Sequence, residues 1–373
     1  MRHIVRIAGA LAMPLMTSGC ARMGPRQGDA HHLLERNYIT RPSGDASLLY
    51  EAQAVTHIFL KDGLPDAYSA LATDRKSNVQ WAWRAAFTPM FRLRQLQDSS
   101  AAVRTPSFMP RLTFDILHLA RMDAHLGADS TPRFDWVWIN GLRLVVQHHS
   151  NGQAGCFRDG WDPKDVHSND CVPHRDLTTG ALYDTNRVAL NRANGDFSTT
   201  YFGAAYLTNW LHRSGSVDRM ADRSASFLGE VDWHVPGVFG DMTPDQRELY
   251  GTFRGKVALE LMQATGRGCV DDVARPCSEA IGCVLAGRTR LNVEGEHVIG
   301  ALGPLAGRIS PSITPWRYSV EVSHAFDRLL GSGVFVRYHD GQDYLNIGFA
   351  KRRTIWMIGM MLDLSGADRI STK

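Results

Sequence analysis

Two histidines and a serine end an apolar stretch of the chain, in the sequence VVQHHS at residues 145–150. On a β-strand, residues two apart point to the same face, with Cα atoms about 6.5–7 Å apart. An imidazole and a hydroxyl at that spacing can form the hydrogen bond of an activated serine nucleophile. The pattern therefore indicates His148 as a general base and Ser150 as a nucleophile, with His149 on the opposite face.

Two other interpretations of this stretch stay open at the level of sequence. A His and a Ser at the end of a strand are often only the first residues of a polar loop. A metal site is the other interpretation, with His167 and His174 as further ligands. Since His148 and His149 face opposite ways in a strand, only one of them could join such a site.

The stretch that carries the pair alternates with a period of two, which is typical of a β-strand with one apolar face. Within residues 134–150, the even-numbered positions are mostly apolar and end with His148 and Ser150. The odd-numbered positions include Asp135, Arg143 and Gln147. The His-Ser pair is therefore predicted to lie on the apolar face of its strand.

About a dozen runs of the chain show the same alternation, separated by segments rich in turn residues. The clearest are residues 78–87, 111–118, 227–235, 316–326 and 352–364. The runs are long for strands, and Tyr and Trp often lie near their ends, as at a membrane interface. We therefore predict an all-β fold, an antiparallel transmembrane β-barrel of about 12 strands. A soluble sandwich or barrel, with its apolar faces turned inward, is the alternative.

Composition narrows the possible classes of protein. The chain has 373 residues, a net charge of +3, 44% apolar and 21% charged residues. This charge, without a basic aromatic stripe, argues against a nucleic-acid partner. No segment has the 18 or so uninterrupted apolar residues of a transmembrane helix.

The N-terminus has the features of an export signal over residues 1–20, with a positive start, a short apolar core and small residues. Cys20 is a candidate lipidated cysteine, and cleavage after Ala21 is the alternative. Residues 21–50 are predicted as a polar lead-in and residues 51–365 as an outer-membrane barrel with a long loop at 153–195. These features place the protein in a Gram-negative outer membrane.

Six cysteines occur in the sequence, and export would allow disulfides to form. Cys156 and Cys171 flank one polar stretch and are predicted to pair. Two of the cysteines at 269, 277 and 283 could also pair, and the sequence does not say which.

The sequence HHSNG resembles the H-x-S-N-G signature of the outer membrane phospholipase A family, whose members are twelve-stranded barrels. NVQWAWRAAF resembles an early strand of that family, SSAAVRTPSFMPRLTFDI a following loop and strand, and VFVRYHDGQDYLNIGFAKRRTIWMIGMMLDL the last strands. The likeness extends from about residue 37 to residue 364. In the family the His and Ser of the signature are base and nucleophile and face lipid.

The resemblance implies a phospholipase that hydrolyses acyl ester bonds of membrane phospholipids, of A1, A2 and lysophospholipase type. It also implies a Ca²⁺ cofactor, with Ser100 and the carbonyl group of Gln153 as ligands, and a homodimer as the active form. The alternative is a non-enzymatic porin-like or binding barrel in which the His-Ser pair is incidental. No G-x-S-x-G sequence occurs, which argues against a soluble hydrolase of the common α/β type.

The third catalytic residue of the family, an Asn that begins the next strand, has no clear counterpart here. The candidates are Asn191, Asn194, Ser198 and Thr200. The sequence leaves these four open.

Overall fold

The structure is a computed structural model. It describes residues 35–44, 48–73, 77–96, 103–126, 132–151, 155–156, 161–163, 171–173, 195–212, 223–235, 237–238, 240, 242–265, 287–299, 313–326, 332–343 and 352–362.

Seventeen strands and two helices make up the described part of the chain. The strands are β1 (Asn37–Ser43), β2 (Leu48–Val55), β3 (Ile58–Asp62), β4 (Val79–Thr88), β5 (Met90–Leu96), β6 (Val103–Phe108), β7 (Arg111–Leu126), β8 (Pro132–Ser150), β9 (Trp161–Pro163), β10 (Cys171–Pro173), β11 (Ser198–His212), β12 (Arg223–Val235), β13 (Phe253–Thr265), β14 (Gly287–Ile299), β15 (Trp316–Phe326), β16 (Ser332–Gln342) and β17 (Arg352–Leu362). The helices are α1 (Leu64–Thr73) and α2 (Pro244–Tyr250).

The strands form a closed antiparallel β-barrel of twelve wall strands, as the alternation predicted. Three wall strands are interrupted and consist of β2 with β3, β4 with β5, and β6 with β7; the others are β1, β8 and β11 to β17. Strand β1 pairs with β17, which joins the first wall strand to the last and closes the wall. Strands β9 and β10 form a separate small hairpin within the loop between β8 and β11.

The wall starts earlier in the chain than the sequence pattern suggested. Strand β1 begins at Asn37, inside the stretch 21–50 that was predicted as a polar lead-in. Its alternation is hard to recognise because its inward residues include Thr40 beside Tyr38, and only Ile39 marks an apolar outer face.

The polarity of the wall is apolar outside and largely polar inside. In β8, Leu142 and Leu144 are 62% and 58% exposed on the outer surface, whereas the alternate residue Arg143 is 5% exposed. Inside, Asp115 accepts hydrogen bonds from Arg84 at 2.6 Å and Arg143 at 2.7 Å, across three neighbouring strands. Charged groups that pair inward and apolar groups that face outward are the arrangement of a transmembrane barrel.

No helix in the described part of the chain is long and apolar enough to cross a membrane.

The three interrupted wall strands are broken at neighbouring positions, and these breaks form a line toward β8. Single backbone hydrogen bonds link the strands at each break. The N–H of Thr56 donates to the carbonyl of Pro89, the N–H of Met109 to Met90, and the N–H of His148 to Pro110. Proline lacks the N–H that a continuous ladder needs, so these breaks follow from Pro89 and Pro110. The line ends at the residue that the sequence analysis singled out as a base.

The two ends of the lumen differ. At the end opposite Ser150, one face of α1 joins inward-facing side chains of six wall strands in one apolar cluster. This apolar cluster consists of Leu64, Ala67, Tyr68, Leu71, Ala82, Leu117, Leu119, Val137, Ile139, Ala205, Leu207, Leu211, Leu228, Ala258 and Met262. Nearer Ser150, the lumen holds a cavity of about 250 Å³ with charged walls, among them Glu230, Lys256 and Arg317.

Two residues before β1 cross this cavity. The carboxylate of Glu35 accepts a hydrogen bond from Arg111, and Arg36 donates to Glu260 at 3.0 Å and to Ser323 at 2.9 Å. Burial alone would raise the pKa of Glu35, but the charge of the Arg111 guanidinium lowers it to about 2. The segment therefore links opposite walls of the barrel through ion pairs.

Candidate active site

His148 and Ser150 lie together on the outer face of the wall, at the end of β8. The residues on the same face toward the middle of the strand, Leu142, Leu144 and Val146, are exposed apolar side chains. The alternate residue His149 is buried on the lumen side. The parity of the strand therefore places the imidazole and the hydroxyl at the edge of the apolar outer surface, as the sequence pattern predicted.

Thr200 bonds the imidazole of His148. In the register of β8 with β11, Thr200 lies opposite His148 and Ser198 lies opposite Ser150. Thr200 Oγ1 is 3.1 Å from His148 Nδ1. When Nδ1–H donates to this hydroxyl, Nε2 carries the lone pair, which is the tautomer that a general base for a serine requires.

Of the other three candidates for the third position, Ser198 is on the outer face but one pair further along, opposite the nucleophile. Asn191 and Asn194 lie outside the described residues. Among the four candidates, Thr200 is thus the one for which a bond to His148 is observed.

Asn151 fixes the backbone immediately after Ser150, a role that the sequence analysis missed. Its Nδ2 donates to the carbonyl of Gly195 at 2.8 Å, and its Oδ1 accepts from the N–H of Phe197 at 3.0 Å. Its own N–H donates to the carbonyl of Phe197 at 3.0 Å. One buried amide thereby joins the two ends of the long loop beside the nucleophile. The Asn of the H-x-S-N-G signature was the available signal.

The predicted disulfide between Cys156 and Cys171 is present. It joins Cys156, five residues after Asn151 in the chain, to Cys171, the first residue of strand β10. Next to it, Gly155 pairs with Gly195, and the backbone N–H of Asp196 donates to the carbonyl of Gly155 at 2.8 Å. The described parts of the long loop are therefore attached close to the site. The cysteines at 269, 277 and 283 lie outside the described residues.

Behind the site, on the lumen side, a cluster of aromatic and imidazole rings supports the same two strands. His149 packs edge-on against Phe197 at 5.0 Å, and Phe197 packs on Tyr250 of α2 at 5.0 Å. Thr199 Oγ1 is 3.1 Å from Nδ1 of His234. Burial raises the pKa of Tyr250, so its hydroxyl stays neutral. The cluster gives the strands that carry His148 and Thr200 a rigid backing.

The predicted ligands of a metal ion are not among the residues that the structure describes. Ser100 and Gln153 both lie outside the described ranges, as do His167 and His174. Within those ranges, no group of three or more His, Cys, Asp or Glu side chains could hold a metal ion.

Comparison with solved structures finds outer membrane phospholipase A from Escherichia coli, with a TM-score of 0.41, 11% identity, and coverage of 88% of this chain and 92% of that chain. It also finds the calcium-bound dimer of the Salmonella typhi outer membrane phospholipase, with a TM-score of 0.37, 11% identity, and coverage of 92% and 98%. A porin mutant from Rh. blastica has a TM-score of 0.21, 10% identity, and coverage of 88% and 97%.

The family found in this way is the one that the sequence motifs resemble. No protein-family model and no curated protein sequence matches the chain.

Proposed function

We propose that this protein is an outer-membrane phospholipase that hydrolyses acyl ester bonds of phospholipids, with Ser150 as nucleophile and His148 as base. The observation that carries the proposal is the hydrogen bond of 3.1 Å between His148 and Thr200 on the lipid-facing side of the wall. A hydroxyl, an imidazole and a neutral group that orients the imidazole are the parts of a serine hydrolase site.

The mechanism follows from these three groups. Ser150 Oγ attacks the acyl carbonyl carbon while its proton passes to His148 Nε2. The ester C–O bond then breaks, and His148 returns the proton to the leaving lysophospholipid alkoxide. Water attacks the acyl-enzyme with His148 again as base, which releases the fatty acid and restores Ser150. Throughout, Thr200 holds the Nδ1 proton of the imidazole and so maintains the tautomer.

The position of the site on the outer surface accounts for the substrate class. Leu142, Leu144 and Val146 lead from the middle of the wall to the His-Ser pair. A phospholipid whose acyl chains lie along this surface brings its ester groups to the level of the strand end, where hydrocarbon gives way to headgroups. A water-soluble ester would not be delivered in this way to a site on the membrane-facing surface of a barrel.

Calcium is proposed as a cofactor because the two predicted ligands offer oxygen atoms as donors. The hydroxyl of Ser100 and the carbonyl oxygen of Gln153 are oxygen donors, the kind that Ca²⁺ takes. Bound calcium would supply positive charge near the oxyanion of the tetrahedral intermediate. We expect turnover to fall on addition of a calcium chelator and to return when Ca²⁺ is restored. Full activity in the chelator would exclude the cofactor without affecting the assignment of Ser150.

A homodimer is proposed as the active form, because the family resemblance implies that Ser100 of one chain binds calcium beside Gln153 of another. Cross-linking during turnover should then capture pairs of chains. Full activity under conditions that yield only monomers would argue against it.

A porin-like barrel without catalytic activity is the second candidate. The apolar cluster around α1 disfavours it, because apolar side chains occupy the lumen where a diffusion channel is lined by polar groups. Conductance in planar bilayers together with no ester hydrolysis would favour this candidate.

The decisive experiment is labelling of the full-length protein with a fluorophosphonate, followed by identification of the modified residue. We expect modification of Ser150 in the wild type and none in Ser150→Ala. The same variant should lose phospholipid hydrolysis while it keeps the heat-modifiable gel mobility of a folded barrel. Labelling at another residue, or equal activity in Ser150→Ala, would remove the assignment.

A further inference from the structure

The loop between β12 and β13 comes over the rim of the barrel and contacts the candidate site from outside. Gly240 in this loop has φ of +113°, a conformation that residues with a Cβ rarely adopt. A Cβ added at Gly240 would lie 2.1 Å from Oγ of Ser198, 2.9 Å from its Cβ and 3.3 Å from Cε1 of His148. The backbone of Gly240 therefore packs directly on the start of β11 and on the edge of the imidazole.

The same loop is attached to β11 at a second point, through helix α2. Thr243 caps this helix, its hydroxyl accepting from the N–H of Gln246 while the Gln246 side chain accepts from the N–H of Thr243. The same side chain donates a hydrogen bond from Nε2 to the carbonyl of Asp196 at 2.7 Å. Asp196 lies two residues before Ser198. The start of β11 is thus held by Gln246 and by Gly240.

The loop is also fixed to the barrel beneath it. Tyr250, the last residue of α2, packs on Phe197, and its carbonyl accepts a hydrogen bond from Arg254. The carbonyl of Leu249 accepts from Gln342 Nε2 at 3.0 Å. A loop with this many attachments can serve as a fixed surface against which neighbouring residues are placed.

We propose that Gly240 is a positioning residue of the active site. By its close approach it sets the position of Ser198 at the start of β11 and limits the rotation of the His148 ring, and so maintains the bond from Nδ1 to Thr200. A side chain at position 240 pushes Ser198 and the imidazole away and misplaces the base. This inference rests on the proposed function.

The test compares two glycine substitutions in one loop. Gly237 also has a positive φ, +73°, but a Cβ added there meets nothing within 4 Å. Gly237→Ala therefore also places a Cβ at a positive φ, with a milder backbone strain than at Gly240 and without the contact. We expect kcat for phospholipid hydrolysis to fall at least about tenfold in Gly240→Ala, since misplacing a catalytic group by about 1 Å can cost about 100-fold. Gly237→Ala should stay within about twofold of wild type, and KM should change little in either variant.

Rescue by a second substitution separates positioning from loss of structure. Ser198→Gly removes both atoms of Ser198 that the new Cβ would meet, so Gly240→Ala/Ser198→Gly should recover most of kcat. Glycine in a strand lowers stability, so the double variant should recover kcat more fully than it recovers the unfolding temperature. If kcat only follows the unfolding temperature across the wild type and both variants, the effect of Gly240→Ala is structural and the positioning role is wrong.

Each outcome decides between the proposals. If wild type turns over lipid and Ser150 is labelled, but Gly240→Ala equals Gly237→Ala, the positioning role is wrong and the proposed function stands. A double variant as slow as Gly240→Ala also overturns the role. If wild type shows no hydrolysis and no labelling at Ser150, the proposed function fails, and the role of Gly240 fails with it.

Discussion

The two faces of the β8–β11 pair place neighbouring residues of the same type in opposite environments. On the outer face, His148 bonds Thr200 beside exposed apolar side chains. On the lumen face, His149 packs on the ring of Phe197, and Thr199 bonds another buried histidine. The two His–Thr pairs have the same chemistry, so their surroundings, with Ser150 on the outer face only, distinguish the proposed base from the supporting histidine.

The strongest test of this contrast replaces each of the two histidines by alanine in a separate variant. His148→Ala should lower kcat by about 10⁴-fold. The substitution removes both the base that activates Ser150 and the acid that protonates the leaving alkoxide. His149→Ala should keep kcat within a few-fold and lower the unfolding temperature, since it loses an edge-on contact worth about 0.5–1.5 kcal/mol. Lipid hydrolysis and thermal unfolding of both variants provide the comparison. Equal losses of activity would mean that the face of the strand on which each histidine lies does not separate their roles.

A charge on the outer face tests whether that face meets lipid. Leu144→Arg should lower the free energy of unfolding in bilayers by about 2–4 kcal/mol, the cost of a cation near the middle of the membrane. Leu144→Val is the matched control and should change it far less. Tolerance of the arginine would place this face in water and argue against delivery of lipid along it.

The adjacent threonines give a finer test. Thr200→Val removes the acceptor for Nδ1–H and should lower kcat about three- to tenfold, the worth of one hydrogen bond of about 0.5–1.5 kcal/mol. Thr199→Val removes the bond to His234 on the lumen side and should leave kcat within about twofold. Thr200→Ser keeps the hydroxyl and should retain activity. If Thr199→Val reduces kcat as much as Thr200→Val, the orienting role of Thr200 is wrong.

The smallest expected effect concerns the lumen, and it depends on pH. The pKa of Glu35 is lowered from the ordinary 4.5 to about 2, so its pairing with Arg111 stabilises the fold above pH 4.5 and is lost as the pH falls toward 2. Glu35→Gln should therefore unfold at a lower temperature than wild type at pH 7, and the difference should vanish near pH 2. Turnover at pH 7 should be unchanged. A difference in unfolding temperature that persists at low pH would mean that the pair does not cause it.

Much of the wall and half of the site could be predicted from local pattern. Alternation with a period of two identified the strands and assigned His148 and Ser150 to the apolar face, and the structure agrees. The pairing of Cys156 with Cys171 was also predicted from the stretch that they flank. The start of the wall was placed too late, because the short β1 has Ile39 as its one apolar outward residue and has Thr40 and Pro42 among its inward residues.

The partner of His148 could not be predicted, because it depends on the register between β8 and β11. A long loop separates these strands, and a shift of one residue would place Thr199 or Tyr201 opposite His148 and turn Thr200 to the lumen. The contacts of Asn151 across the loop ends and of Gly240 on Ser198 also join distant parts of the chain.

The sequence by itself determined which side chains share a face, since a strand alternates whatever its neighbours are. It thus determined that an imidazole and a hydroxyl project together from an apolar surface. Only the tertiary structure decided that this surface faces outward, which threonine meets the imidazole, and which glycine packs on it. These features depend on barrel closure, cross-strand register and loop packing, and all three arise from contacts between residues far apart in the chain.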